Sequence, residues 1–480
     1  MGEVNKKCQV PTPHEIVVKM LDRVGYSENL FGKRILENSC GAGGFLCEIV
    51  HRYIKDCLKH AYSKEQIAMG LQCDIHGFEK DRRLHKLCIH NLSQIAEKYG
   101  ITGVHWNIKR KNALHAVKNA KYQFVVGNPP YLAYPELDER TRDYLRSHFL
   151  SCKKGKPDYY FAFIECAINS LANDGKMIYL VPGNFMKNLY SNDLRMLLLP
   201  SLQEIVDYSH HKLFEGVLTS SVIIYCDYST TTENNVVRYE DRYYDRAYTA
   251  SKDQLKGKWV FGLIEQENKA KFSDFFHASA PVATQLNEAF VIRSWTEFSS
   301  QFVEVNNVPI EKALLRNAAG PKALQKGIHE KIIFPYTYDS HGNLVHYSEN
   351  LFQDKFPSGY NYLLNFQNKL LDRRTDRQAL WFEYGRSQFL SHLNQQKLLL
   401  SSFITGAPRT YILEEETIPY AGICITAREG FTVNQAQKII NSQEFMNYVR
   451  MVGVCTNGTS YRISPTDINS FQFPRELLEG

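Results

Sequence analysis

The 480-residue chain has no apolar run long enough to cross a bilayer. Its longest candidates, such as Ser220 to Cys226, have the length of a strand, which argues against a membrane-spanning role. It also has no CxxC pair. Its eleven cysteines are scattered from Cys8 to Cys455, so neither a dense disulfide framework nor a zinc site at ligand spacing is expected; Cys40 and Cys47 flank a glycine-rich turn without a partner pair. These cysteines read as small buried apolar side chains. The first residues, MGEVNKKCQVPTPHE, lack the apolar segment of a secretory signal, so a reducing cytoplasm is the expected compartment. No internal repeat is found in the second half of the chain.

What is present is ordinary globular composition, with 44% hydrophobic and 22% charged residues, and this excludes a disordered or fibrous class. The length suits two domains, placed at 1–240 and 241–480. A net charge of +6 fits a polyanionic partner without requiring one.

From Arg34 to about Asp227, short β-branched apolar runs alternate with longer amphipathic stretches, the pattern of βαβ units on a mostly parallel sheet. Strands are expected at 34–37, 75–79, 124–126 and 176–181. A helix is expected from Asp158 to Ala172, with Phe161, Ile164, Ala167, Ile168 and Leu171 at helical spacing. Two further strands, 204–208 and 221–225, are separated by too short a segment for a parallel crossover. They are therefore expected as an antiparallel pair at the sheet edge. The polar stretch Ser229 to Asn235 marks the domain boundary, and the mixed α+β second half is expected to begin with a helical segment over 253–276.

Three motifs carry chemistry. Glu37 to Phe45, with Cys40, Gly41 and Gly43, follows a strand and opens a helix. Its glycines permit a tight turn and close approach of a cofactor to the backbone. Glu79, at the end of the second strand and next to Phe78, is placed to accept both hydroxyl hydrogens of a ribose. The unusually long spacing between the two motifs requires an inserted helix over about 51–71.

Asn128-Pro129-Pro130-Tyr131 follows the strand at 124–126, at the carboxyl end of the sheet. Two prolines fix the turn and donate no N–H, leaving the Asn128 amide oxygen and the Pro129 carbonyl to grip one NH2 group. Tyr131 offers a face on which a planar base can stack. The string indicates methylation of an amine on a planar group, without specifying which.

The order of these motifs resembles the gamma class of N6-adenine DNA methyltransferases, the NPPY family found among type II restriction-modification enzymes. Residues 11–15, PTPHE, are similar to that family's leading motif, and 157–163, PDYYFAF, to the motif after NPPY. Leu213 to Gly216 is similar to its base-contacting loop, and the long C-terminal half to a target-recognition domain.

The resemblance implies an α/β fold, a Rossmann-like S-adenosylmethionine-dependent sheet with an antiparallel edge hairpin, followed by a mixed α+β recognition domain. It implies S-adenosyl-L-methionine as cofactor with no metal. It also implies base flipping, double-stranded DNA as partner, a monomer in a prokaryotic cytoplasm, and a separate restriction endonuclease. Catalytic roles carry over to Asn128, Pro129, Pro130, Tyr131 and Phe214. Cofactor contacts carry over to Thr12, Glu37, Cys40, Gly41, Gly43, Phe78, Glu79, Asn112 and Phe163. Asn112 is a departure, because the family has an aspartate there; an amide both donates and accepts, so binding can survive the change.

Arg373, Arg374, Arg377, Arg386, Arg409 and Arg462 lie in basic-aromatic loops of the second half and are the expected DNA contacts. No Pro-Cys dipeptide is present, which argues against cytosine C5 chemistry and its thiolate nucleophile. An RNA base, a protein glutamine amide, or a catalytically silent DNA-binding module stay open as alternatives.

Overall fold

The structure is a computed structural model and describes residues 11–116, 121–209, 220–230, 235–262, 269–456 and 460–479. The chain divides into two compact units, Met1–Leu263 and Ile264–Gly480.

The first unit is built on a nine-stranded sheet. Its strands are β1 (Ile35–Glu37), β2 (Ile75–Phe78), β3 (Asn107–Lys109), β4 (Tyr122–Gly127), β5 (Leu171–Pro182), β6 (Leu202–Asp207), β7 (Ser221–Asp227), β8 (Val236–Asp241) and β9 (Arg246–Ser251). Their order is β3-β2-β1-β4-β5-β7-β6-β8-β9. Strands β3 to β5 pair in parallel along this order, while β7 runs antiparallel to both β5 and β6.

The strands read as continuous apolar runs because both faces are covered. Phe124, Val126, Ile178 and Leu180 pack on one side with helices α1 (His14–Val24), α2 (Gly44–Lys59), α3 (Lys64–Asp74) and α4 (Arg82–Lys98). Val125, Met177, Tyr179 and Val181 pack on the other side with α5 (Ala113–Ala116), α6 (Glu139–His148), α7 (Tyr160–Ser170) and α8 (Asn192–Leu198). Helix α1 is amphipathic, and buries Ile16, Val17, Met20, Leu21 and Val24. Each such side chain contributes roughly 1.5–3 kcal/mol. Gly25, in the left-handed region with φ 77°, ends the helix.

Four expectations are corrected. The antiparallel pair β6–β7 is not the sheet edge: β8 pairs in parallel with β6, and β9 closes the sheet. For the same reason the first unit runs past residue 240 to Leu263. The inserted helix over 51–71 is two helices. The chain turns between Lys59 and Ser63, where the Ser63 hydroxyl accepts from the Gln66 N–H and the Gln66 side chain accepts from Ser63, a reciprocal cap that starts α3.

The expected helix over 253–276 is instead a short 3-10 turn at Lys252–Leu255, a strand at Lys269–Lys271 and one helical turn at Phe272–Phe275, with 263–268 outside the described residues. Its aromatic residues serve a β core, in which Phe272 and Phe276 pack beside Leu398, Ile425 and Phe473.

The second unit contains a four-stranded antiparallel sheet, ordered Phe276–Ser279, Ile423–Ala427, Lys397–Leu400, Thr410–Leu413. A mixed sheet is ordered Val291–Ile292, Glu330–Ile333, Leu315–Ala319, Thr417–Pro419. Buried Lys397 ties the first of these to its loops: its ammonium donates to the carbonyls of Leu393, Gln395, Glu414 and Glu415, and burial pulls its pKa down to about 8. Among the described residues, no helix is long and apolar enough to cross a membrane.

Candidate active site

In the first unit the strand order reverses between β1 and β4. A crevice opens at the carboxyl ends of the strands at such a switch point, and this is where open α/β sheets bind ligands. A cavity of about 770 Å³ lies there. Thr12, Glu37, Cys40, Gly41, Gly43, Phe78, Glu79, Asn112 and Phe163 all line it, together with Asn128 and Pro130. Residues from six separate stretches of the chain thus converge on one space.

The turn from β1 to α2 is shaped by its glycines. Gly41 (φ 53°) and Gly43 (φ 91°) are left-handed, and a Cβ on Gly43 would stand 3.0 Å from Cys88 Sγ on α4. The Asn91 amide donates to the Ala42 carbonyl and fixes the turn from α4. Gly43→Ala is therefore expected to lower stability by about 1–3 kcal/mol through backbone strain and crowding. Gly41→Ala meets nothing within 4 Å and is expected to keep more of its stability; thermal denaturation of the two variants checks the difference.

Glu79 is held at the end of β2. Its Oε2 accepts from the Gly41 N–H at 3.0 Å and its Oε1 from the Asp81 N–H at 2.7 Å. A carboxylate has about four acceptor positions, so two remain for a ligand diol. Glu37 is 3% exposed, and its Oε2 has no partner among the described residues. Burial, with the Cys88 thiol and Glu79 carboxylate nearby, pushes its carboxyl well above the usual range. Asn38, also buried, donates to the Phe163 carbonyl while its Oδ1 has no partner among the described residues. Cys40 and Cys88 are thiols with their sulfurs 4.0 Å apart, and the Cys88 thiol, with burial, strengthens the hold of Cys40 on its proton.

Asn128 follows β4 directly. Its Nδ2 donates to Thr12 Oγ1 at 3.1 Å, and its backbone carbonyl accepts from the Ser39 hydroxyl. Its Oδ1 is buried and, among the described residues, unpartnered. A buried amide oxygen without a donor is unfavourable unless something outside the protein supplies one. Pro129 and Tyr131 do not line the cavity themselves. Pro129 is buried. The Tyr131 hydroxyl donates to the Leu180 carbonyl at 2.9 Å and its ring meets Tyr160 edge-on, so the ring is fixed against β5. The following loop is tied down by Asp158, which accepts from the Tyr134 N–H and the Asn184 amide.

Phe214 and its loop lie outside the described residues. Tyr159 is a lining residue that sequence reasoning passed over: its hydroxyl accepts from the Asn112 amide at 3.2 Å, while Asn112 Oδ1 accepts from the Leu114 N–H. The signal was available, since an amide in place of an acid turns an acceptor toward that hydroxyl into a donor. Pro11 and Ser39, which belong to motifs already read, also line the cavity, as do Asp81 and Asn91, which no motif marked. Among the described residues, no group of three or more His, Cys, Asp or Glu is placed to hold a metal ion.

In the second unit Arg374, Arg377, Arg386, Arg409 and Arg462 are exposed. Arg373 is not available as a DNA contact. Its guanidinium donates to the carbonyls of Leu370, Thr284 and Trp381 at 2.9, 2.6 and 2.7 Å and stands over the Phe290 ring, so it holds the fold together from within.

Residues 55–214, which contain Glu79 and the Asn128 turn, match the Eco57I restriction-modification methylase family. The chain is similar to type II restriction-modification methyltransferases. It is 26% identical over 293 residues to the type II methyltransferase M.BstVI of Geobacillus stearothermophilus, covering 57% of this chain and 52% of that protein. It is 21% identical over 535 residues to the type II restriction enzyme and methyltransferase RM.Eco57I of Escherichia coli, covering 90% and 53%. The chain thus spans about half the length of these relatives.

Its fold is similar to that of the type IIL restriction-modification enzyme MmeI, solved in complex with DNA (TM-score 0.57, 12% identity, 95% of this chain and 65% of that one). It is also similar to a nuclease-deletion mutant of the type ISP enzyme LlaGI, solved with a DNA substrate mimic (TM-score 0.52, 12% identity, 91% and 51%). The α/β Rossmann-like sheet expected of the chain is the fold it has.

Proposed function

We propose that this chain transfers a methyl group from S-adenosyl-L-methionine to the N6 amine of an adenine in double-stranded DNA, as the modification activity of a restriction-modification system. The observation that carries the reading is the buried, unpartnered Asn128 Oδ1 at the wall of a cavity that opens on β1, β2 and β4.

The residues present fit the cofactor. The cavity volume is that of a small-molecule site, the Glu79 carboxylate suits a ribose diol, and the apolar rings of Phe78 and Phe163 suit a purine. The orphaned Glu37 Oε2 suits a cationic group. When bound, S-adenosylmethionine supplies an electrophilic methyl on a sulfonium. The chain's own contribution is alignment. Asn128 Oδ1 and the Pro129 carbonyl would accept the two amine hydrogens, holding the nitrogen lone pair toward the cofactor side and away from conjugation with the ring. Thr12 fixes the Asn128 amide so that the oxygen, not the nitrogen, faces the substrate. Tyr131, immobilised by Leu180 and Tyr160, would pack against the extruded base, with Phe214 opposite.

The expected partner is DNA, engaged by the exposed arginines of the second unit, and the protein is proposed to act as a monomer beside a separate endonuclease in a prokaryotic cytoplasm. Incubation with methyl-labelled cofactor and, separately, duplex DNA, RNA and protein extract tests the reading. Label is expected in N6-methyladenine of duplex DNA; label confined to RNA or to glutamine, or no label anywhere, would sink it.

A further inference from the structure

A second cleft of the first unit has no place in this mechanism. It measures about 330 Å³ and is lined by Arg82, His85, Lys86, Ile89 and Arg110. None of these residues lines the cofactor cavity. Arg82 and Lys86 stand one turn apart on α4, so they share a face of the helix. Arg110 follows β3 and faces the same space, bringing a third cation from a different element.

All three are exposed, and among the described residues none has a carboxylate within ion-pair distance. The nearby acids are already committed. Asp81 accepts from the N–H groups of Arg83 and Leu84 at the start of α4, and Glu79 accepts from those of Gly41 and Asp81. Lys80, Arg83, Lys109 and Lys111, all exposed, extend the positive field on either side. His85 anchors the wall, with its Nε2 bonded to the Ile108 carbonyl of β3 at 2.9 Å.

Like charges at i and i+4, joined by a third across a concave surface, repel one another, and no ion pair among the described residues offsets this. A cleft focuses that field, so the arrangement favours a compact polyanion. Guanidinium groups bind phosphate oxygens in a fork, and a flanking ammonium adds a point charge.

We infer that the cleft formed by Arg82, Lys86 and Arg110 is a phosphate-binding site, separate from the cofactor cavity. Its ligand is a phosphate-bearing chain: either the phosphodiester backbone of a nucleic acid or a free polyphosphate.

The test compares the full chain with Arg82→Gln/Arg110→Gln and, as a milder second variant, Lys86→Gln. The substituted side chains are exposed, so all three proteins are expected to give the same circular dichroism. Tripolyphosphate is expected to raise the melting temperature of the parent and not that of the double variant if the source is a free polyphosphate. If the source is a nucleic-acid backbone, the double variant is expected to bind duplex DNA about tenfold more weakly whatever its sequence. The slope of log affinity against log salt should then become shallower by about 0.9 for each phosphate that the variant no longer neutralises. Cofactor affinity is expected to be the same in all three proteins. Absence of any tripolyphosphate effect on the parent, together with identical DNA affinities and salt slopes in parent and variants, overturns the proposal.

Discussion

Asn128→Ala is expected to reduce kcat for methyl transfer by about 10²- to 10³-fold while cofactor affinity is retained. The substitution removes the buried Oδ1 that has no donor among the described residues and leaves the Pro129 carbonyl as the sole grip on the amine. An acceptor that stands idle in the free protein and engages only when substrate arrives acts on kcat rather than on folding. Deleting it also removes an unsatisfied buried group, so the melting temperature is expected to hold or rise, although the bond to Thr12 goes with it. Single-turnover measurement with saturating cofactor checks the rate, and titration with S-adenosylhomocysteine checks the affinity. An Asn128→Ala protein as fast as the parent would mean that the amine is held elsewhere.

The second large effect is expected at Glu37, where cofactor binding and stability should move in opposite directions. Burial raises its carboxyl pKa in the folded protein. Below the unfolded value of about 4.3 the group is protonated in both states and has no influence. As pH rises from there toward the folded-state pKa, the unfolded chain ionises first, so the folded protein loses stability relative to it. Glu37→Gln abolishes that loss. The cofactor-free variant is expected to be more stable than the parent at neutral pH by about 1–2 kcal/mol, read as a higher melting temperature.

The same substitution removes the negative charge that a cationic cofactor group would meet. Affinity is expected to fall about 10- to 100-fold, the range of a hydrogen bond to a charged partner. In the parent, affinity is expected to rise with pH through the folded-state pKa, because ionisation of Glu37 then no longer has to accompany binding; in Glu37→Gln the rise should vanish. Equal pH dependence in the two proteins would place the cationic group elsewhere.

How much of this could be read beforehand varied with the range of the interaction. The four strands β1, β2, β4 and β5 were legible because each is a short apolar run buried on both faces, and α7 because its apolar side chains recur at helical spacing. β3 was not: Asn107–Lys109 carries one buried apolar residue, Ile108, and is a strand because β2 offers it a ladder. β8 and β9 were missed for the same reason, since their side chains are largely exposed or half-exposed, and β8 joins the sheet only through β6, a partner distant in sequence, with β9 added onto β8. Ser63 to Gln66 shows the opposite case, a cap written locally that a reading focused on hydrophobic spacing ran through.

The Asn128 tetrapeptide, the glycine turn and Glu79 were determined by the sequence alone, because proline and glycine fix backbone locally and because strand-end positions follow from the alternation of elements. Tertiary structure decided what each group is free to do. It gave Thr12 as the partner that orients Asn128, left Asn128 Oδ1 and Glu37 Oε2 without donors among the described residues, and joined Asn112 to Tyr159. It turned Arg373 inward while leaving Arg82, Lys86 and Arg110 to share one cleft. Those outcomes depend on desolvation and on hydrogen bonds between residues as many as 116 positions apart, and no local pattern encodes them.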